Sequence, residues 1–269
     1  MDRPDFKFSG DEALSYDKYL GPLLFEPFAE YTGGLIVEKA YSNILEIACG
    51  TGRLTHHINL NRSVQSKFIA SDINTDMINI AKKKLKNADV TFILADAQEL
   101  PFENNCFDLV ICQFGLMFFP DKAKALQEII RVLQPGGKFI FSTWDDTINS
   151  PLLKLMFNEI LLPYFMGEKA KRLFVPFSLH DKKILEEMNI KEGFSFCKAE
   201  HILLPAGNVS KENIINGFFL KHGLMNAVKE INPQAIPLII SQMESQIPNY
   251  TNNNTSFYNL SALLGEATK

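Results

Sequence analysis

A short turn of small residues after an apolar run is the part of this sequence best suited to bind a ligand. The run 44–47 contains one acid, Glu46, and the chain then places Ala48, Gly50 and Gly52 at every second position. This pattern predicts a buried strand whose end turns sharply enough for a ligand to lie against bare backbone. We call residues 48–52 the glycine turn. The alternative is an ordinary tight turn between a strand and a helix.

The spacing of the glycine turn separates two classes of ligand. A turn that binds pyrophosphate needs a further glycine three residues after its second small position, so that the next helix can pack closely. That position holds Arg53 in this chain. The sequence therefore disfavours a nicotinamide-dependent oxidoreductase, which remains the weakest of the functional alternatives.

A second acid stands at the end of the next predicted strand. Residues 66–71 are predicted to form a second strand, and Asp72 stands at its end. An acid at the carboxyl end of the strand beside a glycine turn can accept hydrogen bonds from both hydroxyls of a ribose. The alternative for Asp72 is an N-cap of the helix predicted over 75–85, a role for which Asn74 and Thr75 also compete.

A third strand, over 90–94, is followed by another acid and an amide. Asp96 and Gln98 can receive the exocyclic amine of an adenine while apolar neighbours flank the ring. A helix cap is the alternative for Gln98. Two further strands are predicted over 107–112 and 138–144, the latter after a turn at 134–137.

Taken in order, the pieces between residues 40 and 145 resemble the class I S-adenosylmethionine-dependent methyltransferases, in the small-molecule group that includes the ubiquinone and menaquinone biosynthesis methyltransferases. The matching pieces are LEIACGTG at 45–52, Asp72, ADAQELPF at 95–102, FDLVICQFGLMFF at 107–119 and LQPGGKFIFSTW at 133–144. The resemblance implies an α/β fold with a Rossmann-like seven-stranded sheet, mostly parallel with an antiparallel last strand, plus a helical cap. It also implies S-adenosyl-L-methionine as the cofactor.

The resemblance implies a role for each matched residue. The glycine turn lies under the methionine part of the cofactor, and Glu46 orients that turn or reaches the methionine amine through water. Asp72 holds the ribose, Asp96 and Ala97 meet the adenine, and Gln113 sits beside the sulfonium. The residues expected to bind the cofactor are Tyr16, Tyr19, Glu46, Ala48, Cys49, Gly50, Thr51, Gly52, Asp72, Ile73, Met77, Asp96, Ala97, Gln98, Gln113 and Phe114.

One position departs from the pattern of these methyltransferases. Ala48 stands where many of them have glycine. Alanine is small enough to leave cofactor binding intact, but its Cβ disfavours a positive φ. We therefore expect Ala48 to keep out of the left-handed region.

Three regions are expected along the chain. Residues 1–42 form an N-terminal helical cover of the cofactor, 43–146 form the S-adenosylmethionine-binding core, and 147–269 hold helical cap insertions with the last two strands. In the cover, Tyr16 or Tyr19 closes over the methionine end, with packing on the sheet as the alternative. Gly21-Pro22 is expected to interrupt the helix there. The last two strands are predicted over 194–204 and 257–264, with helices over 148–175, near 179–190 and over 210–246.

The acceptor and any catalytic base are less well defined by the sequence. The 22 phenylalanines suggest an apolar cleft for a small, apolar or aromatic organic acceptor, with ordinary core packing as the alternative. An acceptor hydroxyl or acidic carbon needs a base. The candidates are His180, His201 and His222, of which His222 is preferred because it falls in the predicted cap, and no catalytic residue is assigned. A noncatalytic S-adenosylmethionine-binding protein or scaffold is the alternative to a methyltransferase.

Composition excludes several classes of function. The chain has 269 residues, of which 46% are hydrophobic, which is enough for one substantial α/β core. A net charge of −4 without an extended basic stripe argues against a nucleic-acid partner. Four cysteines without metal-like spacing predict no metal site and a reducing compartment. Because no signal core or membrane span is found, we expect a cytoplasmic protein. We expect it to be a monomer or a homodimer.

Overall fold

The computed structural model describes residues 10–37, 39–221, 223–250 and 254–269. Its strands are β1 (Asn43–Ile47), β2 (Lys67–Asp72), β3 (Thr91–Leu94), β4 (Phe107–Gln113), β5 (Leu133–Trp144), β6 (Phe196–Pro205) and β7 (Asn259–Thr268). They form one seven-stranded sheet in the order β3-β2-β1-β4-β5-β7-β6. Neighbours from β3 to β5 pair in parallel, and β7 runs antiparallel to both β5 and β6. The prediction of a mostly parallel sheet with an antiparallel last strand is confirmed.

Helices cover the sheet and connect its strands. The α-helices are α1 (Asp11–Ser15), α2 (Glu26–Gly34), α3 (Arg53–Asn61), α4 (Thr75–Lys84), α5 (Lys122–Val132), α6 (Pro151–Leu153), α7 (Gly167–Leu173), α8 (Lys182–Glu192), α9 (Lys211–Ile215), α10 (Gly223–Ile231) and α11 (Ala235–Gln246). Wider, π-helical turns occupy Tyr16–Phe25, Lys154–Leu161 and Asn216–Leu220, and 3₁₀ turns occupy Leu116–Phe118, Thr147–Asn149, Leu162–Tyr164, Val175–Phe177 and Thr255–Tyr258. No helix in the described part of the chain is long and apolar enough to cross a bilayer.

The strand order explains the sequence pattern of β1. This strand lies between β2 and β4, so helices cover both of its faces. A strand buried on both sides reads as a continuous apolar run instead of an alternating one. Ile44, Leu45 and Ile47 are accordingly buried. The connections reverse direction across the sheet between β1 and β4, and the crevice outside the carboxyl ends of strands at such a point is the usual ligand site.

Several strand boundaries differ from the prediction, and β5, β6 and β7 differ by two residues or more. β5 already begins at Leu133, because the predicted turn continues as an irregular part of the strand with a register shift opposite Phe107 and Leu109. β6 begins two residues late, since Phe194 is buried against Phe139, with ring centroids 5.8 Å apart. β7 extends to Thr268, because it pairs along β5 as far as Lys138.

The expected interruption at Gly21-Pro22 is wrong. Helical backbone continues through α1, Tyr16–Phe25 and α2, and we call this stretch, residues 11–34, the cover helix. In a π-helical turn the N–H of residue 22 would donate to the carbonyl of Asp17, and Pro22 has no N–H to give; Arg53 Nη2 donates to that Asp17 oxygen instead. Gly21 is needed for a different reason: a Cβ there would lie 2.1 Å from Arg53 Nε.

The helical insertions before β6 and β7 pack on each other. We call the described residues within 151–177 and 211–246 the cap. The rings of Phe157 and Phe218 join its two parts, with centroids 6.0 Å apart. His222, the preferred candidate base, lies outside the described residues. The expected region boundaries after residues 42 and 146 stay predictions.

Candidate cofactor and acceptor site

Every second residue of the glycine turn has a positive φ, in the left-handed region. Ala48, Gly50 and Gly52 have φ values of 53°, 55° and 80°. The expectation that Ala48 avoids positive φ is therefore wrong. A left-handed alanine costs roughly 1–2 kcal/mol, and the surrounding structure must compensate. Cys49 N, the next amide, donates to Ser71 O at 2.9 Å and fixes the turn to β2.

The Asp72 side chain is hydrogen-bonded to the glycine turn and does not cap the following helix. Its Oδ2 accepts a hydrogen bond from Gly50 N at 2.8 Å, and Oδ1 accepts one from Asn74 N at 2.8 Å. The cap of α4 is Asn74, whose side chain accepts from the amides of Asp76 and Met77. Burial raises the pKa of Asp72, although the hydrogen bonds from backbone amides oppose that rise. The carboxylate keeps lone pairs available for further donors.

Glu46 is a second buried acid with a raised pKa near this turn. It is buried in β1, and its Oε2 has no hydrogen-bond partner within the described part of the protein. Burial raises the pKa of Glu46 to about 8, and the nearby Asp72 carboxylate adds to the rise. A buried, unsatisfied carboxylate oxygen is costly. Its presence fits a ligand that brings a hydrogen-bond donor, such as an amine.

Asp96 and Gln98, the acid and the amide that follow β3, are hydrogen-bonded to each other. Asp96 Oδ1 accepts from Gln98 N at 2.9 Å and from Gln98 Nε2 at 3.1 Å. Gln98 Oε1 accepts from Asp121 N at 2.9 Å, just before α5. Gln98 therefore orients Asp96 and connects it to the next loop. Ala97 between them is buried. Contacts of these three residues with adenine stay a prediction.

The end of β4 brings a second unsatisfied oxygen to the same edge of the sheet. Gln113 Oε1 is buried without a hydrogen-bond partner among the described residues, while its Nε2 makes a long 3.5 Å contact with Phe25 O. The next residue, Phe114, has a φ of 52° and stacks on Trp144, with ring centroids 4.1 Å apart and an interplanar angle of 14°. Strained backbone at a cleft marks a functional site more often than an ordinary turn.

The other predicted cofactor residues occupy different surroundings. Cys49 and Met77 are buried, whereas Ile73 is 53% exposed next to Asp72. Tyr16 stacks near Phe25 and lines the cavity described below. Tyr19 does not line that cavity; the ammonium of Lys18 lies 4.9 Å from its ring centroid. The part that either tyrosine plays at the methionine end stays a prediction.

Sequence reasoning missed a polar contact between the cover helix and the glycine turn. Asp17 Oδ1 accepts from Thr51 Oγ1 at 2.6 Å and from Lys84 Nζ at 2.6 Å, and it pairs with Arg53 Nη2 at 3.3 Å. Arg53 Nη2 also donates to the backbone oxygen of Asp17. The side chain that ruled out a pyrophosphate turn thus serves to hold the cover helix.

A second acid of the cover helix completes this contact. Glu26 Oε2 pairs with Arg53 Nη1 at 2.5 Å, and its Oε1 lies 2.8 Å from His57 Nε2. Burial acts to raise the pKa of Glu26, but the His57 and Arg53 contacts outweigh it and hold the pKa below its ordinary value. We call Asp17, Glu26, Thr51, Arg53 and His57 the cover latch. The sequence offered only separate charges, with nothing to indicate the pairing.

An apolar cavity of about 370 Å³ lies between the cover helix, the ends of β4 and β5, and the cap. We call it the Trp144 cavity. Its wall includes the aromatic and aliphatic side chains of Tyr16, Leu20, Leu24, Phe25, Phe114, Phe118, Trp144, Leu153, Phe157, Phe165, Leu173, Phe177 and Phe218. Its charged lining residues are Lys169, Arg172 and Glu230. Tyr16 and Phe114 thus connect the predicted cofactor residues to this cavity.

The described candidate bases do not line the Trp144 cavity. His180 borders a separate outer cavity, and its Nδ1 lies 2.7 Å from Phe177 O. His201 Nδ1 lies 3.1 Å from Oδ2 of Asp145, a buried acid that also accepts from Ser261 Oγ at 2.7 Å. Both histidines therefore have structural partners, and neither lines the Trp144 cavity.

Comparisons of the sequence find methyltransferases. Residues 45–141 match the family described as "Methyltransferase domain". The chain is 33% identical over 195 residues to the ubiquinone/menaquinone biosynthesis C-methyltransferase UbiE of Francisella tularensis subsp. novicida (strain U112), which covers 67% of this chain and 72% of that protein. It is 35% identical over 113 residues to the protein of the same name from Idiomarina loihiensis, which covers 40% of this chain and 45% of that protein.

Solved structures share the fold at low sequence identity. The phosphoethanolamine N-methyltransferase 2 of Haemonchus contortus, in complex with S-adenosyl-L-methionine, superposes with a TM-score of 0.60 at 19% identity, over 100% of this chain and 60% of that one. The plantazolicin methyltransferase BamL, in complex with S-adenosylhomocysteine (SAH), superposes with a TM-score of 0.56 at 14% identity, over 99% and 94% of the two chains.

Proposed function

This chain belongs to the S-adenosylmethionine-dependent methyltransferases, and we propose that it methylates a small organic acceptor with an apolar or aromatic body. The observation that carries the proposal is the Trp144 cavity, which is apolar on most of its wall and ends at Phe114, the residue after Gln113. An acceptor in this cavity lies next to the residues expected to surround the sulfonium. Ligand pockets of this kind bind through apolar contact and take their orientation from a few polar groups.

The residues at the carboxyl ends of the strands suit the cofactor. We propose that Glu46 and the glycine turn hold its methionine part, Asp72 its ribose and Asp96 its adenine. The unsatisfied oxygens of Glu46 and Gln113 support this assignment, because a bound ligand can supply the donors that the protein lacks. When bound, S-adenosylmethionine supplies a methyl group on a sulfonium, which a nucleophile displaces in line.

The residues around the Trp144 cavity contribute by positioning the acceptor and excluding water. Correct alignment of two reactants can lower a barrier by roughly 7–11 kcal/mol. Burial raises the pKa of the Tyr16 phenol, so this side chain stays protonated and does not act as a base. We therefore propose an acceptor whose nucleophile loses its proton without help from Tyr16, His180 or His201.

Filling the cavity tests the proposal. Ala227 lines the Trp144 cavity and is half-buried on α10, so Ala227→Phe adds a ring to the cavity. Ala123→Phe is the matched control, because Ala123 is half-buried on α5 and does not line the cavity. Transfer of a labelled methyl group is measured for a panel of phenols, quinols, aryl amines and apolar acids.

We expect turnover of the best acceptor to fall at least tenfold in Ala227→Phe, with KM raised and S-adenosylmethionine affinity unchanged. The Ala123→Phe protein should resemble the unaltered enzyme. Turnover that survives Ala227→Phe unchanged places the acceptor elsewhere and overturns the proposal.

A further inference from the structure

We propose that the acceptor carries an anionic group, a carboxylate or a phosphate, which Arg172 and Lys169 bind at the mouth of the Trp144 cavity. The inference rests on the proposed function and names the chemical class of its acceptor. The apolar body enters the cavity towards Trp144, and the anion stays outside with the two cations. Such an acceptor is amphipathic, and its charge decides which end reaches the cofactor.

The mouth of the cavity has an excess of positive charge. Lys169, Arg172 and Glu230 are the charged residues of the described cavity lining, so two cations face one carboxylate. Lys169 Nζ and Glu230 Oε2 are 3.9 Å apart, and the two side chains are 52% and 74% exposed. An ion pair this long and this exposed is weak. The excess is notable in a chain whose net charge is −4.

Arg172 is available for a ligand. Within the described residues its side chain makes no hydrogen bond or ion pair, while the neighbouring acid Glu168 is paired with Lys171 at 2.7 Å. Arg172 and Lys169 are three residues apart on α7 and therefore share one face of that helix. Leu173, next to Arg172, is buried and also lines the cavity. The helix thus presents an apolar wall and two cations at the same opening.

The chemistry of the wall explains why the anion stays at the mouth. Inside its mouth, the described cavity is lined almost entirely by apolar and aromatic side chains, and burying a charge without partners is strongly unfavourable. A planar guanidinium matches the two oxygens of a carboxylate or phosphate, and such charge-assisted bonds are stronger than neutral ones. An acceptor without an anionic group would lose the contact with Arg172 and Lys169. Either of its ends could then enter the cavity towards Trp144.

A pair of fluorescent dyes separates the effect of charge from that of the apolar body. The probes are 8-anilinonaphthalene-1-sulfonate and N-phenyl-1-naphthylamine, which share one aromatic skeleton and differ by the sulfonate. Trp144 is the single tryptophan of the chain and lines the cavity, so energy transfer from Trp144 reports binding of either dye, and the Ala227→Phe variant shows whether that binding is in the cavity. No acceptor needs to be known, and no turnover is required.

The variant is Lys169→Gln/Arg172→Gln, and its control is Lys82→Gln/Lys83→Gln, which removes two exposed lysines of α4 that do not line the cavity. We expect the affinity of the sulfonate dye to fall about tenfold in the first variant, since a hydrogen bond to a charged group is typically worth that factor or more. The neutral dye should bind unchanged. The control variant should bind both dyes as the unaltered protein does, and salt should weaken only the sulfonate dye.

The Ala227→Phe variant distinguishes the two possible failures. If it weakens both dyes, but Lys169→Gln/Arg172→Gln affects them equally or not at all, the cavity is right and the anionic acceptor is wrong. If Ala227→Phe weakens neither dye, or neither dye binds at all, the proposed function and this inference both fail. Competition against the sulfonate dye by decanoate and by decyl phosphate then tells a carboxylate from a phosphate.

Discussion

The Asp72 carboxylate lies 2.8 Å from the Gly50 amide and accepts its hydrogen bond. This contact joins the end of β2 to the turn after β1, so one side chain shapes the backbone of the glycine turn and still faces the proposed ribose position. Removing the Asp72 carboxylate is expected to weaken ligand binding in two ways. The ligand loses a hydrogen-bond partner, and the glycine turn loses the hydrogen bond that holds it to β2.

We expect Asp72→Ala to weaken binding of S-adenosylmethionine by roughly 1–3 kcal/mol or more, because a charged hydrogen-bond partner disappears. Asp72→Asn should lose less, since its side-chain oxygen can still accept from Gly50 N. Calorimetric titration with S-adenosylmethionine and SAH measures both, with circular dichroism to confirm folding. Asp89→Ala is the control, because the Asp89 side chain is 92% exposed. Unchanged affinity in folded Asp72→Ala would remove Asp72 from the site.

The cover latch is expected to hold the cover helix against the glycine turn. Arg53→Met keeps an unbranched side chain of intermediate length but removes the pairs with Asp17 and Glu26, at a cost of about 2 kcal/mol in unfolding free energy. Backbone amides of residues 11–34 should then exchange their hydrogens faster than those of the sheet. Arg62→Met, which removes an arginine outside the latch, serves as the comparison. Equal protection of the cover helix in both variants contradicts the latch.

Glu46 should make stability depend on pH between about 4.5 and 8. Its pKa in the folded protein is raised by burial to about 8, above the ordinary value of 4.5, so the folded state binds a proton that the unfolded state releases. Its contribution is fully present below pH 4.5 and is lost as the pH rises to about 8. The expected slope reaches up to about 1.4 kcal/mol per pH unit.

Glu46→Gln removes the titrating group and should flatten this dependence, so that the variant gains stability relative to the unaltered protein as the pH rises. Urea unfolding of the cofactor-free protein at several pH values measures the difference. Glu99→Gln, on the surface, is the control. If the two proteins show parallel pH profiles, Glu46 does not carry a raised pKa.

Ala48 and Gly115 are expected to be coupled. A Cβ at position 115 would lie 2.6 Å from Ala48 Cβ and 2.8 Å from Cys112 Sγ. Gly115→Ala should therefore cost about 1–3 kcal/mol through overpacking. Ala48→Gly removes one of the two clashing atoms and relieves the left-handed alanine, so the double variant should recover part of the loss. A double-mutant cycle by urea unfolding checks this, and strictly additive effects rule the contact out.

Local patterns in the sequence were sufficient for the sheet and for the main polar positions of the site. The runs before Ala48, Asp72 and Asp96 indicated strands. The central strand β1 is buried on both faces and needs continuous apolar residues, whereas β3 at the edge of the sheet leaves Leu94 58% exposed. Each acid follows its own strand in sequence, and parallel strands place their carboxyl ends at one edge. Asp72 and Asn74 show the limit of this reasoning: the sequence left open which of them caps α4, and only the hydrogen bonds decided it.

The backbone of the glycine turn shows a second limit. Intrinsic preference argued against a positive φ at Ala48, yet the residue takes one. Tertiary contacts supply more free energy than the roughly 1–2 kcal/mol that a left-handed alanine costs. In the same way, Gly21-Pro22 did not end the cover helix, because the backbone takes a π-helical turn there and Arg53 Nη2 donates to the Asp17 carbonyl that lacks the Pro22 N–H.

By itself, the sequence determined the fold class and the family, and it predicted the edge of the sheet at which we propose that the cofactor binds, because these depend on residue type and spacing along the chain. Only the tertiary structure decided the partners of Arg53, the stacking of Phe114 on Trp144 and the placement of Arg172 at the mouth of an apolar cavity. These contacts join residues far apart in the chain. Side-chain pairing across such distances depends on how helices pack, and no local pattern of residues encodes it.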